Sequence, residues 1–154
     1  MKLLLLITSL VFFPFNAGSQ PKAVDIAQQL EINKAIAKNF YQDLWFTNNT
    51  DKYQDYVAKE YVVHDTFQRK NIVEPAIEQK YIADMFWDKG ELSGKIDYQV
   101  AEGDLVVTRW NASLSPKTLL GKLYGMEQLA IINVFRIKEG KIVENGKREL
   151  TLIN

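Results

Sequence analysis

The sequence has no cysteine, which removes disulfides, zinc–thiolate centres and thiol nucleophiles together. It has one histidine, His64, and its carboxylates are scattered without ligand spacing, so no metal site is expected. Net charge is missing as well, because 19 basic side chains balance 19 acidic ones. A nucleic-acid partner needs a clustered positive field, and none is expected here. Glycine-rich phosphate loops and a serine-centred nucleophile elbow are also absent, and no cofactor is expected. No internal repeat, low-complexity tract or linker divides the chain.

Long apolar runs are confined to the beginning. Lys2 is followed by LLLLITSLVFFPF, and small residues at Ala17 and Ser19 then form a cleavage pattern. The run is shorter than the roughly 20 residues of a spanning helix and contains Pro14. Residues 1–19 therefore read as a signal peptide cut before Gln20, leaving one domain over 20–154 that is secreted or periplasmic and free of the membrane. Its length suffices for one core, and 47% apolar residues can fill it.

What remains divides by periodicity. From Asp25 to about Thr47, Ile26, Leu30, Ala37, Tyr41 and Leu44 recur at helical spacing, with Ile36 and Phe40 widening the stripe. Asn48-Asn49 ends this helix, Asp51 to Ala58 predicts a short second one, and Tyr61-Val62-Val63 a short strand. Pro75 fits the first turn of a third helix whose apolar face is Ile77, Tyr81, Ile82, Met85 and Phe86, with Gly90 ending it. After Gly90 the period becomes two. Ile96, Tyr98 and Val100 alternate with polar residues, Glu102-Gly103-Asp104 turns, and Leu105 to Leu114 returns. Gln128 to Lys138 and Lys141 to about Leu150 form a second hairpin around Glu139-Gly140. Helices first and antiparallel strands later predict an α+β fold.

Three blocks carry a resemblance: FYQDLW at Phe40 to Trp45 with EYVVHD at Glu60 to Asp65, VAEGDLVVTRW ending at Trp110, and FRIKEGKIVE ending at Glu144. In this order and spacing they resemble the SnoaL-like polyketide cyclases, a branch of the nuclear transport factor 2-like superfamily. The segment Ser115 to Met126 is similar to an insertion in some exported members. The resemblance implies a cone, with three N-terminal helices packed on a strongly curved, mostly antiparallel sheet around a pocket. The family usually places a tryptophan, then a histidine or aspartate, after the Gly-Lys-Ile-Val-Glu step. Here the chain continues Asn145-Gly146-Lys147-Arg148-Glu149. Without a gap, Gly146 and Lys147 take those places; with a two-residue gap, Asn145 matches an asparagine and Glu149 an aspartate.

Several residues are candidates for chemistry in such a pocket. His64 titrates near neutrality and is the natural acid or base, with Asp65 adjacent but alternating to the other strand face. Asn133 is the odd amide on the face Leu129, Ile131, Asn133, Phe135, Ile137, where it either pairs with neighbours or polarises a carbonyl. Glu144 and Glu149 are candidate carboxylates for proton abstraction. Tyr41, Trp45, Met85, Phe86 and Trp110 are candidate ligand-binding walls or plain core filling. Trp110 shares strand parity with Thr108, Ala112 and Leu114, whereas Arg109 points the other way.

The expected function is binding of a small apolar carbonyl compound, with cofactor-free aldol-type cyclisation or isomerisation where the cone is catalytic. The alternatives are a non-catalytic binding module and a dimeric interaction module. A homodimer is expected in each case, because an open sheet face carrying Ile132 and Val134 benefits from cover.

Overall fold

The computed structural model describes residues 25–64, 71–118 and 127–151, with residue 127 and residues 147–151 as backbone. The expected signal peptide, Asp65, much of the insertion-like segment and the Glu149 side chain lie outside the described residues. Helix α1 (Ile26–Phe40) runs into a π-helical segment (Tyr41–Phe46), a 3-10 turn (Thr50–Lys52) and the single-turn α2 (Tyr53–Tyr56). Then come β1 (Val57–His64), β2 (Asn71–Pro75), α3 (Ile77–Lys89), β3 (Gly90–Glu102), β4 (Leu105–Pro116), β5 (Glu127–Lys138) and β6 (Lys141–Thr151). The six strands form one sheet in the order β2-β1-β6-β5-β4-β3. Only β1 and β6 run parallel; every other neighbouring pair is antiparallel. This is the expected α+β architecture, helices against one face of a mostly antiparallel sheet.

That inner face carries the core. Val106, Thr108, Trp110, Ala112 and Leu114 of β4 alternate inward beside Ile131, Asn133, Phe135 and Ile137 of β5. Against them pack Ala37, Phe40, Tyr41, Leu44 and Trp45 from the first helical stretch and Ala83 from α3. Burial of such apolar side chains, about 1.5–3 kcal/mol each, is the main force closing the layers.

Several expected details differ. Ile26 is 78% exposed, so the apolar stripe of α1 begins at Leu30 and Asn33 rather than at its first residue. The second helix is only Tyr53–Tyr56, because Val57 already pairs with Ile142 of β6. Pro75 ends a short edge strand instead of starting a helix, a position where its missing N–H costs no ladder bond. The buried side of α3 is Gln79, Ile82, Ala83 and Phe86, turned away from Tyr81 and Met85, which are exposed. In β3 the alternation breaks at Asp97, an extra residue between the pairs Ile96↔Trp110 and Tyr98↔Arg109. The Asp97 carboxylate accepts from the Arg109 guanidinium and from Asn111 Nδ2. Past this bulge Tyr98 and Val100 face outward while Gln99 points in, donating to Lys34 O and Thr108 Oγ1.

Two glycines hold the sheet closed against its neighbours. A Cβ on Gly90 would sit 2.3 Å from the carbonyl oxygen of Ser115, and one on Gly94 would meet the Phe46 ring at 2.3 Å. The backbone φ of Gly90 is −174°, so its need for glycine is this close approach and not a left-handed turn.

The outer face holds a network of charged and polar side chains. His64 Nδ1 lies 2.8 Å from Asn71 Oδ1, and Nε2 lies 3.1 Å from Glu144 Oε2. Each ring nitrogen therefore faces an oxygen acceptor, which only the imidazolium satisfies fully. Glu144 Oε1 also meets Arg136 Nε at 2.9 Å, and Arg136 reaches Asp104 Oδ1 at 2.6 Å. The hydrogen bond to Glu144 first, then that to Asn71, raises the His64 pKa above 6.5. The hydrogen bond from His64 lowers the Glu144 pKa below 4.5, against burial and with help from Arg136.

Two outcomes are expected. Gly90→Ala should lower unfolding free energy by about 2 kcal/mol in urea titration, and Gly94→Ala by less, because the Phe46 ring can shift and a backbone carbonyl cannot. For His64, a raised folded pKa gives stabilisation that is present below 6.5 and lost as pH rises through the folded value; for Glu144, a lowered one gives stabilisation present above 4.5 and lost as pH falls. The melting-temperature difference between wild type and His64→Gln should therefore be largest between those two values and shrink at alkaline pH. A difference flat with pH would mean the pair is not formed.

Candidate functional site

The site grows out of a local irregularity of the first helical stretch. At Tyr41 the α-helical repeat widens to a π-helical one, a rare form that leaves carbonyls needing other partners. Thr47 Oγ1 donates to Gln42 O at 2.9 Å, the Asn49 backbone N–H to Asp43 O at 2.7 Å, and Trp87 Nε1 to Leu44 O at 2.9 Å. The Asp43 carboxylate ties the segment to the next turn by accepting from Tyr56 Oη and Lys52 Nζ. Asn48, at φ +59°, ends it in the left-handed region that asparagine tolerates. The widened turn brings Tyr41, Leu44 and Trp45 all inward, where each is buried.

There they meet Trp110. Its ring centroid lies 5.2 Å from that of Tyr41, 5.5 Å from Trp45 and 5.9 Å from Phe46. Phe135 stacks on Tyr41 at 5.6 Å. The aromatic rings nearly fill the space between sheet and helices, leaving a cavity of about 60 Å³. Phe40, Ile82, Ile131 and Phe135 form its apolar walls, and Tyr41, Trp45, Gln79, Trp110, Asn133 and Asn145 its polar ones.

The polar groups fall into two sets. One is a directed chain: Trp110 Nε1 donates to Asn133 Oδ1 at 3.1 Å, and Asn133 Nδ2 donates to Asn145 Oδ1 at 3.0 Å. The other is open, because Tyr41 Oη and Trp45 Nε1 are buried without a hydrogen-bond partner. Burial pushes the Tyr41 pKa well above 10.0, the neighbouring Trp110 indole opposing the shift, so the phenol is a neutral donor. Beyond the cavity, Gln79 Nε2 donates to Tyr61 Oη at 2.6 Å, and Tyr61 Oη donates to Glu74 Oε2 at 2.6 Å.

Four sequence candidates, Tyr41, Trp45, Trp110 and Asn133, are brought together here. Phe86 stands behind Trp45, with ring centroids 5.5 Å apart, and Met85 is 47% exposed on the outer side of α3. His64 and Glu144 meet each other, but across the sheet from the cavity, because strand alternation turns Val63 and Asn145 inward and these two outward. At the C-terminus, the backbone of Lys147 pairs with Asn133 and that of Glu149 with Ile131. Sequence reasoning missed Gln79, Tyr61 and Glu74. The available signal was Gln79 itself, a polar residue three and four positions before Ile82 and Ala83 on one helical face.

Three larger clefts lie elsewhere on the surface, two of about 550 Å³ and one of about 310 Å³ between β3 and β4. In the first, Lys141 Nζ is committed to the Gln54 and Asp55 carbonyls at 2.7 Å. In the second, Gln29 Nε2 donates to Asn33 Oδ1 and Asn33 Nδ2 to Gly103 O. Among the described residues none of the three holds a buried orphan donor, which singles out the inner cavity. Among the described residues, no three histidine or carboxylate side chains group to hold a metal, and no helix is long and apolar enough to cross a membrane.

The fold recurs in solved structures with little sequence in common. A protein provisionally described as a polyketide cyclase from Acidithiobacillus ferrooxidans is 18% identical with a TM-score of 0.64, covering 77% of this chain and 87% of the other. An LEH-like epoxide hydrolase from M. tuberculosis is 13% identical with a TM-score of 0.61, over 79% and 85%. A protein provisionally described as a ketosteroid isomerase from Kribbella flavida is 10% identical with a TM-score of 0.61, over 82% and 83%. Comparison with curated proteins gives no match. The family model for the SnoaL-like polyketide cyclases matches residues 35–147, a span from the middle of α1 into β6 that includes every polar group of the cavity, and this chain belongs to that family.

Proposed function

We propose that this protein binds a small, mostly apolar molecule in the inner cavity through a hydrogen-bond acceptor such as a carbonyl oxygen. The observation that carries the reading is the pair of orphan donors, Tyr41 Oη and Trp45 Nε1. A buried polar group left unpaired costs about 1–3 kcal/mol, and a ligand acceptor would recover part of it. At about 10–15 Å³ of probe volume per water, the cavity holds about four waters or a ligand core of similar size. The family to which the chain belongs supports a carbonyl-bearing ligand.

Binding is favoured over acid/base catalysis. Cyclisation or isomerisation through an enolate needs a base, and the described lining residues offer only amides, indoles and a phenol held neutral. His64 and Glu144 stand on the outer face, and both amide groups of Asn133 already have partners. Export and pairing of two chains belong to the same proposal. The N-terminal sequence supports the first, and the exposed Tyr98, Val100 and Val134 of the outer face support the second.

Native mass spectrometry of the protein recovered from its host's envelope or medium reads all three. The expected species is two chains, each beginning at Gln20, carrying a small molecule. Tyr41→Phe should weaken retention of that molecule by about 1 kcal/mol, roughly fivefold. An empty protein that also fails to take up small ketones would sink the binding reading.

A further inference from the structure

The hydrogen-bond chain behind α3 fixes which atom Gln79 offers to the cavity. Glu74 as a carboxylate only accepts, so the single Tyr61 proton goes to Glu74 Oε2. The Tyr61 oxygen must then accept from Gln79, which commits the Gln79 Nε2 group to Tyr61. In a planar amide the oxygen lies on the other branch, and among the described residues nothing donates to Gln79 Oε1. Gln79 is 6% exposed and lines the cavity, so the amide atom left to face it is the Oε1 acceptor. The same logic runs from the opposite wall, where Trp110 N–H fixes Asn133 and Asn133 fixes Asn145 as a further donor. The cavity thus has donors from Tyr41, Trp45 and Asn145 and an acceptor from Gln79.

Building on the binding reading above, we infer that the ligand is a neutral hydroxy-carbonyl compound, its carbonyl oxygen meeting Tyr41 and Trp45 and its hydroxyl donating to Gln79 Oε1. Gln79 is then the specificity-determining residue, and Tyr61 and Glu74 are positioning residues that hold its amide in one orientation. A molecule with the carbonyl alone leaves the Gln79 oxygen unpaired, and a charged acid meets no cation among the described lining residues.

The test titrates the mature protein with hydroxyacetone and with acetone, both small enough for the cavity, following the indole N–H resonance of Trp45 by NMR. Hydroxyacetone should bind about tenfold more tightly than acetone, the worth of one well-placed hydrogen bond to a buried acceptor. Gln79→Leu should abolish that preference. Tyr61→Phe, which leaves the lining intact but frees the Gln79 amide to turn over, should reduce it while acetone still binds. A purely structural role for Tyr61 would lower both affinities alike and leave the ratio unchanged, which would overturn the positioning assignment. Equal affinity of the two probes in wild type would overturn the hydroxyl inference while leaving the binding reading intact. Failure of both probes to shift Trp45 in wild type would overturn both.

Discussion

The interior of this protein depends on the need to bury the Trp110 indole with its N–H satisfied. The ring sits in van der Waals reach of three aromatics from the π-helical segment, and its nitrogen is held by Asn133, which is held in turn by Asn145. A buried amide pair is stable only when each polar atom finds a partner, so this chain fixes the relative positions of β4, β5 and β6 as firmly as the backbone ladders do. The π-helical turn follows from the same constraint. A regular helix would bring fewer of Tyr41, Leu44, Trp45 and Phe46 against Trp110, and the widened turn is tolerated because Thr47, Asn49 and Trp87 take up its carbonyls.

Strand alternation then divides the chemistry between two environments. Inward positions of β1, β5 and β6 hold Tyr61, Asn133 and Asn145, and the outward positions next to them hold His64, Arg136 and Glu144. Charges stay where water can solvate them, and neutral donors and acceptors go where it cannot. The outer network spans β2, β1, β6, β5 and the β3–β4 turn, so it ties together both halves of the chain at the one parallel pairing of the sheet. A single residue of register at β1 or β6 would exchange the two sets, which is why the bulge at Val143, between Ile142 and Glu144, matters to the site.

Much of the architecture was legible because strand parity is a local property. The order of helices before strands, the inward set Thr108, Trp110, Ala112 and Leu114, and the turn at Glu139-Gly140, where both residues take positive φ, could all be read from spacing. What escaped were features that depend on an inserted residue or on a distant strand. Asp97 adds one residue to β3 and turns Tyr98 outward, and nothing in an alternating pattern announces where it will slip. Val63 and His64 alternate in any strand, but which of the two faces the core is decided by the pairing of β1 with β6, about 80 residues away. A change of element hid Gln79, whose partner Tyr61, 18 residues earlier, belongs to a strand and whose role appears only once α3 is laid across it.

The three structural neighbours carry names for cyclisation, epoxide hydrolysis and steroid isomerisation on one backbone plan. A shared plan with unlike chemistry means that reaction type resides in the few polar atoms aimed into the cavity. In this chain the described ones are donors and an acceptor of fixed direction, with no group among them whose charge changes near neutral pH. On the proposed binding reading, such a set discriminates by hydrogen-bond polarity: the buried Tyr41 O–H and Trp45 N–H penalise a ligand that fails to match them, and the penalty grows with the exclusion of water that the aromatic walls provide. The aromatic packing and the polar code are therefore one device, since the same rings that close the core also make each unmatched hydrogen bond expensive.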